Sequence, residues 1–341
     1  MKILSVMGKY YGGSNKAIEP MYLEFSDPLR DLGHVVEHFD HKATTRQHGI
    51  LVCGERFVDF VRTGKFDLVF YQTAGKDHMP REAIREATRY APVAAWNSDD
   101  DWQWESYSRD LAPFFTFMVT TYRHIYDANK HAFPNLYLSQ WGCYDRYAHY
   151  ATAKDIPFSF LGRIYGSRYH DCRFLRAQAG LQIFGANSRL VALGIPLFRG
   201  CSRLPWLTGV PIADYAEANN IWNRSRISYT PLEASSDPSM LQIKGRVFQM
   251  GLSGTLMLCN AHPALAEYYE PEKEFVTYSS IEECADKARH YLTHETERAL
   301  IARAYYKRTL TEHLWQHRFQ RLLTDMGFPA PGRVEDTCPC Q

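Results

Sequence analysis

Three stretches of this 341-residue chain carry side chains whose type and spacing suit chemistry. The first is Trp96-Asn97-Ser98-Asp99-Asp100-Asp101-Trp102-Gln103-Trp104. Three consecutive acids between tryptophans are costly to bury together. Their mutual repulsion would raise one pKa, as proton exchange near neutrality requires. The alternative is that two of them face water and one caps the next helix. The second stretch is Leu161-Gly162-Arg163-Ile164-Tyr165-Gly166-Ser167-Arg168. Its glycines let a backbone approach a ligand, and Arg163 and Arg168 offer planar donor forks that match phosphate oxygens. The bland reading is surface arginines on an ordinary turn. The third runs from Lys244 to Tyr278. It opens with Lys244-Gly245-Arg246, continues as a small-residue helical pattern through Met250, and turns around Gly251 and Gly254. A cationic helix entry suits a phosphate group, although a solvated helix start in an ordinary core would look the same.

These groups need a scaffold, and the apolar pattern supplies one. Lys2–Met7, His34–Phe39, Asp67–Tyr71, Pro92–Trp96, Phe117–Thr121 and Leu136–Gln140 read as strands, separated by helical patterns. Gly8 to Ser14 is a glycine-bearing loop between the first strand and a helix from about Asn15 to Leu32. It lacks both the G-x-G-x-x-G fingerprint and the P-loop lysine. Past a crossing near residue 150 the pattern repeats. Strands are expected at Pro157–Leu161, Leu181–Phe184, Arg226–Thr230 and Thr255–Cys259, the last two flanking the polar loop that leads into the Lys244 stretch. Helices are expected at Ala213–Asn223, Ile281–Thr293 and, as one long run, Glu295–Asp325. Trp315, Phe319, Leu322 and Leu323 stand at helical spacing, a packing stripe. The alternation predicts an α/β fold with parallel strands in two domains, 1–150 and 151–328, and a tail at 329–341.

Composition narrows the function. The net charge is +1, with 45% apolar and 23% charged residues. That gives no bulk electrostatic case for nucleic acid or an anionic membrane. No apolar run approaches the roughly 20 residues that span a bilayer, and the N-terminus lacks a signal-peptide pattern. A cytoplasmic protein is expected, with its eight cysteines reduced. Cys338 and Cys340 are the one close-spaced pair, too few for a structural zinc site.

The motifs resemble the CgeB-like, spore-maturation-type glycosyltransferases. That family's C-terminal pattern is K-G-R-x-F-E, a glycine turn, an apolar strand, an acidic segment, D/E-x-x-x-K-x-x-x-Y-L and a helix with H-x-x-x-x-R. Here Lys244-Gly245-Arg246-Val247-Phe248-Gln249, Gly254 to Leu258, Tyr269 to Phe275, Asp286 to Leu292 and His313 to Arg318 follow it. In the N-terminal half, Trp96 to Asp100, Tyr107-Ser108 and Val119-Thr120-Thr121 look like its W-x-x-D-D, serine and V-T-T landmarks. Phe158 to Arg163 looks like the first strand of its donor domain.

The resemblance implies the GT-B architecture: two Rossmann-like, doubly wound parallel-sheet domains facing a cleft, with the C-terminal helix returning toward the N-terminal domain. It implies a hexosyl transfer from a nucleoside-diphosphate sugar (uridine, guanosine or thymidine) to an acceptor hydroxyl, with no metal and no other cofactor. Gly162, Arg163 and Arg168 would meet the pyrophosphate, joined by Lys244, Arg246 and the Gly254 turn. Gln249 stands where the family usually places an acid on the ribose diol, and the second acid of related enzymes falls at Leu241. An amide accepts through one oxygen only, so ribose contact changes geometry. Asp99 or Asp100, with His124 behind them, would serve as the base of an inverting reaction, whereas a retaining reaction needs none. The acceptor would be a glycan, protein or small molecule before a nucleic acid, met through Tyr10, Tyr11, Asn15, Trp102 and Trp104. Two other functions fit the same scaffold: a non-catalytic sugar-nucleotide or glycan-binding protein, and a nucleic-acid-modifying glucosyltransferase.

Overall fold

The structure is a computed structural model. It describes residues 1–10, 18–73, 75–146, 150, 153–164, 166–185, 215–234 and 240–329. The expectations on Tyr11, Asn15, Cys338, Cys340 and tail residues 330–341 lie outside that set. The chain forms two compact units. The first comprises Met1–Trp141 and the segment from Trp315 onward, and the second Gly142–Leu314. The chain thus returns to its first unit after leaving the second.

The first unit holds a six-stranded parallel sheet in the order β2-β1-β3-β4-β5-β6. Its strands are β1 (Lys2–Val6), β2 (Val35–Phe39), β3 (Leu68–Gln72), β4 (Val93–Asn97), β5 (Phe117–Thr120) and β6 (Leu136–Leu138). The connections include α1 (Pro20–Asp31), α2 (His41–His48), α3 (Ile50–Gly64), α4 (Arg81–Ala87), α5 (Asp100–Gln103), α6 (Arg109–Leu111) and α7 (Arg123–Asn129). A π-helical turn, Trp104–Ser108, joins α5 to α6. The central strands are buried on both faces, which is why they read as continuous apolar runs rather than alternating ones. Helix α2 escapes the apolar pattern because only His41 of its eight residues is buried. Its start is set by Asp40, whose Oδ1 accepts from Ala43 N at 2.8 Å.

The second unit holds a five-stranded sheet in the order β11-β10-β9-β7-β8, its described pairings all parallel. Its strands are β7 (Ile156–Leu161), β8 (Gln182–Phe184), β9 (Ser225–Thr230), β10 (Leu256–Asn260) and β11 (Val276–Tyr278). The helices are α8 (Arg168–Ala179), α9 (Tyr215–Arg224), α10 (Gly245–Gly251), α11 (Ile281–Thr293) and α12 (Glu295–Glu312). Edge strand β11 follows closely on the charged run Glu270 to Glu274, which masks its three-residue apolar pattern in the sequence.

The long helix expected from Glu295 to Asp325 is two helices. At His313 the backbone leaves the helical region (φ −122, ψ 14). Its carbonyl is taken by Cys143 N at 3.1 Å, and its ring nitrogen meets Tyr268 O at 3.0 Å. The next helix, α13 (Trp315–Asp325), belongs to the first unit. There its stripe packs against α1 and the sheet. The Trp315 ring lies 4.9 Å from Phe25 and 5.5 Å from Trp96, and Phe319 lies 5.2 Å from Phe25. Burying such side chains contributes about 1.5–3 kcal/mol each. Among the described residues no helix is long and apolar enough to cross a membrane.

Candidate functional site

Both sheets reverse direction next to their first strand. In the second unit the chain goes from β7 to β8 on one side and then returns to β9 on the other. In open parallel sheets ligands bind outside the carboxyl ends of the strands at such a switch point. The residues just past β7 and β9 therefore decide what this unit can hold.

Past β7 comes Gly162, whose amide donates to Phe184 O at 3.2 Å. A Cβ on Gly162 would stand 3.3 Å from Arg246 Nη1, and a Cβ on Gly185 would stand 2.6 Å from the Gly162 carbonyl. The two glycines let the turns after β7 and β8 close on each other, and Gly185 holds φ +103. Arg246, on the first turn of α10, donates from Nη2 to Pro231 O at 2.8 Å, just beyond β9. Three separate segments thus meet at the switch point: the turn after β7, the turn after β9 and the start of α10. Lys244 is the N-cap residue of α10 and half-buried. Gln249 lies one turn further along, also half-buried.

The two arginines of the Gly162 turn have different jobs. Arg163 is exposed, and among the described residues its guanidinium has no ion pair or hydrogen bond. Arg168 is 2% exposed at the start of α8. It donates to the carbonyls of Glu233 at 2.6 Å, Pro231 at 3.3 Å and Arg163 at 3.4 Å. A planar donor fork suits this use, and it makes Arg168 a strut that fixes the loop carrying Arg163. Gly254 does not join the set. It precedes β10, at the amino edge of the sheet, beside Thr255, which donates to Trp222 O at 2.6 Å and Ser225 O at 3.0 Å. Its glycine answers a local need, since it holds φ +65 and a Cβ would stand 2.5 Å from the Tyr150 ring.

Two residues that the sequence reading passed over belong here. Asn260 ends β10, and its Oδ1 accepts from Leu232 N at 3.0 Å while its Nδ2 donates to Glu233 Oε1 at 2.7 Å. Glu233, whose backbone pairs with that of Leu241, brings a half-buried carboxylate beside the carboxyl ends of β9 and β10. An acid three residues past the end of β9 was a usable signal.

In the first unit the acids follow β4. Asp99 is half-buried at the N-cap of α5, where its carbonyl accepts from Gln103 N at 3.0 Å. Asp100, the next residue, is 0% exposed. Burial pushes its pKa up to about 6, and the repulsion of Asp101 and Asp99 adds less. Ser108 and Thr120 hydroxyls stand near enough to temper the rise, but neither completes a hydrogen bond with a carboxylate oxygen. The expected pKa rise is present, then, but desolvation is its main cause, and a carboxyl with no solvent access cannot itself meet an acceptor. His124 is exposed on α7, with its ring 5.8 Å from Tyr122. Burial, with Asp101 and Asp99 adding, keeps the Tyr122 phenol protonated. Trp102 is 49% exposed, whereas Trp104 is buried against Phe133 at 5.5 Å. Of the two tryptophans, Trp102 alone offers a free face. Tyr10 lies under Lys9 Nζ at 5.4 Å and bridges to Ile18.

Residues 161–324 match the model of a family described as Glycosyl transferase-like. Among solved structures, HepE of Anabaena in complex with UDP and glucose superposes at TM-score 0.61. It is 13% identical, over 96% of this chain and 99% of that one. An alpha-glucosyltransferase in complex with UDP-glucose and DNA containing an abasic site gives 0.64 at 10% identity, over 96% and 99%. Sucrose-phosphate synthase of Thermosynechococcus elongatus gives 0.59 at 10% identity, over 96% and 97%. The fold is GT-B. Curated protein sequences yield no match. A GT-B scaffold at these identities carries architecture rather than substrate, so the chemistry rests on the switch-point residues. Among the described residues, no group of three or more His, Cys, Asp or Glu is arranged to hold a metal ion.

Proposed function

We propose that this chain is a glycosyltransferase that moves a hexosyl group from a nucleoside-diphosphate sugar to an acceptor hydroxyl, in the manner of the CgeB-like enzymes it resembles. The observation that carries the reading is the meeting of Gly162, Arg163, Arg246 and the start of α10 at the switch point of the second unit. That meeting falls inside the segment that matches a glycosyl transferase-like model. Uridine is the leading nucleoside, because HepE and the alpha-glucosyltransferase are both seen with UDP or UDP-glucose. The leaving diphosphate develops negative charge, which Arg163, Arg246 and Lys244 stabilise without a metal. Arg168 acts through Arg163 by fixing its loop. Glu233 supplies a carboxylate to a site that lacks one at Gln249 and Leu241. In the first unit the base of an inverting reaction is Asp99, which has solvent access, rather than the enclosed Asp100. His124 is the alternative base, and Trp102 is the stacking surface for an acceptor ring.

A thermal-shift panel of nucleotides and nucleotide sugars tests this. UDP should raise the midpoint, and Arg163→Ala should remove most of the rise while leaving the ligand-free midpoint within about 1 °C. No response to any nucleotide would remove the donor site. Gln249 favours a second reading, a nucleotide-sugar or glycan binder without turnover. A donor-hydrolysis assay separates the two, because binding with no released diphosphate supports the binder. A glucosyltransferase acting on nucleic acid is the weakest reading, given a net charge of +1.

A further inference from the structure

The first unit has a switch point of its own, between β1 and β3, and its residues play no part in the proposal above. The turn after β1 carries Gly8 and Lys9. The turn after β2 leads straight into α2, with His41, Lys42 and Arg46. The turn after β3 carries Lys76, Asp77 and His78. Contacts draw these three segments together. Asp40 Oδ2 accepts from Lys9 N at 3.0 Å, and the Thr45 hydroxyl donates to the His78 carbonyl. The His41 and His78 rings lie 4.8 Å apart. Gly8 lies under Lys42, where a Cβ would stand 2.6 Å from Lys42 Cδ.

Charge is unevenly matched there. Lys42 is paired with both oxygens of Glu19 at 3.1 and 3.2 Å. Asp77 is held by Arg81 at 3.0 Å and by the Tyr107 hydroxyl at 3.0 Å. Asp40 is occupied by two backbone amides. That leaves Lys76 and Arg46, both exposed and without a carboxylate partner among the described residues, and Lys9, whose Nζ faces the rings of Tyr10 and Tyr22 at 5.4 Å. The fields of Lys42, Lys76 and Arg46 all reach His78, which is 9% exposed. Beneath it His41 is fully enclosed, and neither of its ring nitrogens has a hydrogen-bond partner. The N-terminus of α2 is already capped by Asp40, so the helix end does not create this site. Surplus exposed cations converging on the His78 ring are what an absent anion would complete.

We infer that the carboxyl edge of β1, β2 and β3 binds an anionic group, a phosphate or a carboxylate, through Lys9, Arg46, Lys76 and His78. Resting on the proposed function, this makes the acceptor an anionic molecule, engaged by the first unit at its own switch point. The donor diphosphate uses a different set of residues in the second unit, so the two sites respond to different variants.

The experiment is a calorimetric titration of the full chain with inorganic phosphate and, separately, with tricarballylate, each repeated in saturating UDP. Wild type should bind at least one of the two, and the one bound identifies phosphate or carboxylate as the source chemistry. The Arg46→Glu/Lys76→Glu double variant changes two exposed side chains. It should weaken that binding by about tenfold or more, roughly 1.4 kcal/mol, and keep its UDP-induced thermal shift. Arg163→Ala should do the reverse. Anion binding unaffected by the double variant, or no binding of either probe, overturns the inference. Loss of the UDP response in wild type, with anion binding intact, overturns the donor site and leaves the anion site standing.

Discussion

Single residues here act according to their surroundings more than their type. Arg163 and Arg168 are five apart on one glycine turn, yet one faces solvent and the other is spent on three carbonyls. The sequence showed two equivalent donor forks. Only the arrival of Pro231 and Glu233 from the far side of the switch point separates them. Asp100 is the clearest case for titration. Its folded pKa is raised from 3.8 to about 6, so between those values the folded state binds more protons than the unfolded one. Stability therefore falls as pH rises through that window and the full penalty is present at pH 7. Asp100→Asn removes the charge with little change of shape, and Ser108 and Thr120 can accept from its amide. We expect it to stabilise the protein at pH 7.5 by on the order of 2 kcal/mol, with the gain vanishing below about pH 4. Urea unfolding of both proteins across pH 4–8 checks this, and a pH-independent difference would contradict it.

At the scale of elements, what the sequence showed depended on length and burial. The doubly buried strands announced themselves as apolar runs, and the stripe Trp315, Phe319, Leu322 and Leu323 marked a packing helix. Elements set among polar residues did not: α2 is polar along its length, and β11 follows the charged run Glu270 to Glu274. The break at His313 was also hidden, because its cause is a hydrogen bond from Cys143, a residue 170 positions away. Helix α13 is expected to be integral to the first unit. Phe319→Ala empties a fully buried site between Phe25, Phe70 and Trp315. It should cost about 3–5 kcal/mol, seen as a lower denaturation midpoint and a changed fluorescence of Trp315 and Trp96. A cost under about 1 kcal/mol would mean that the helix is dispensable to that core.

For the whole molecule, the near-neutral charge conceals local imbalance. The cations around the β1–β3 switch point come from three segments that are not adjacent in sequence, so no charge run betrays them. The same cluster sets an acid limit on stability. His78 is lowered to about 4, mainly by burial and then by Lys42 and Lys76, with Arg46 adding and Asp77 opposing. His41 is lowered well below 6.5 by burial, with His78, Lys42 and His38 adding. The unfolded chain therefore binds protons first. Stability is complete above about pH 6.5 and is lost as pH falls toward 4. His78→Asn should lose less stability than wild type between pH 7 and pH 5, read from urea midpoints. Equal losses would show that another group governs the acid limb.

Sequence alone determined the α/β class, the succession of strands and helices in two halves, and the packing character of the last helix. These follow from local periodicity and from residue type, which a chain displays without folding. The tertiary structure decided what adjacency decides. It placed Arg246 against Gly162, set Arg168 to structural use and sent Gly254 to the opposite edge of the sheet. It also enclosed Asp100 and gathered Lys9, Arg46, Lys76 and His78 around one switch point. Each of these depends on strand order, and strand order is fixed by pairings between distant segments, which a local pattern does not contain.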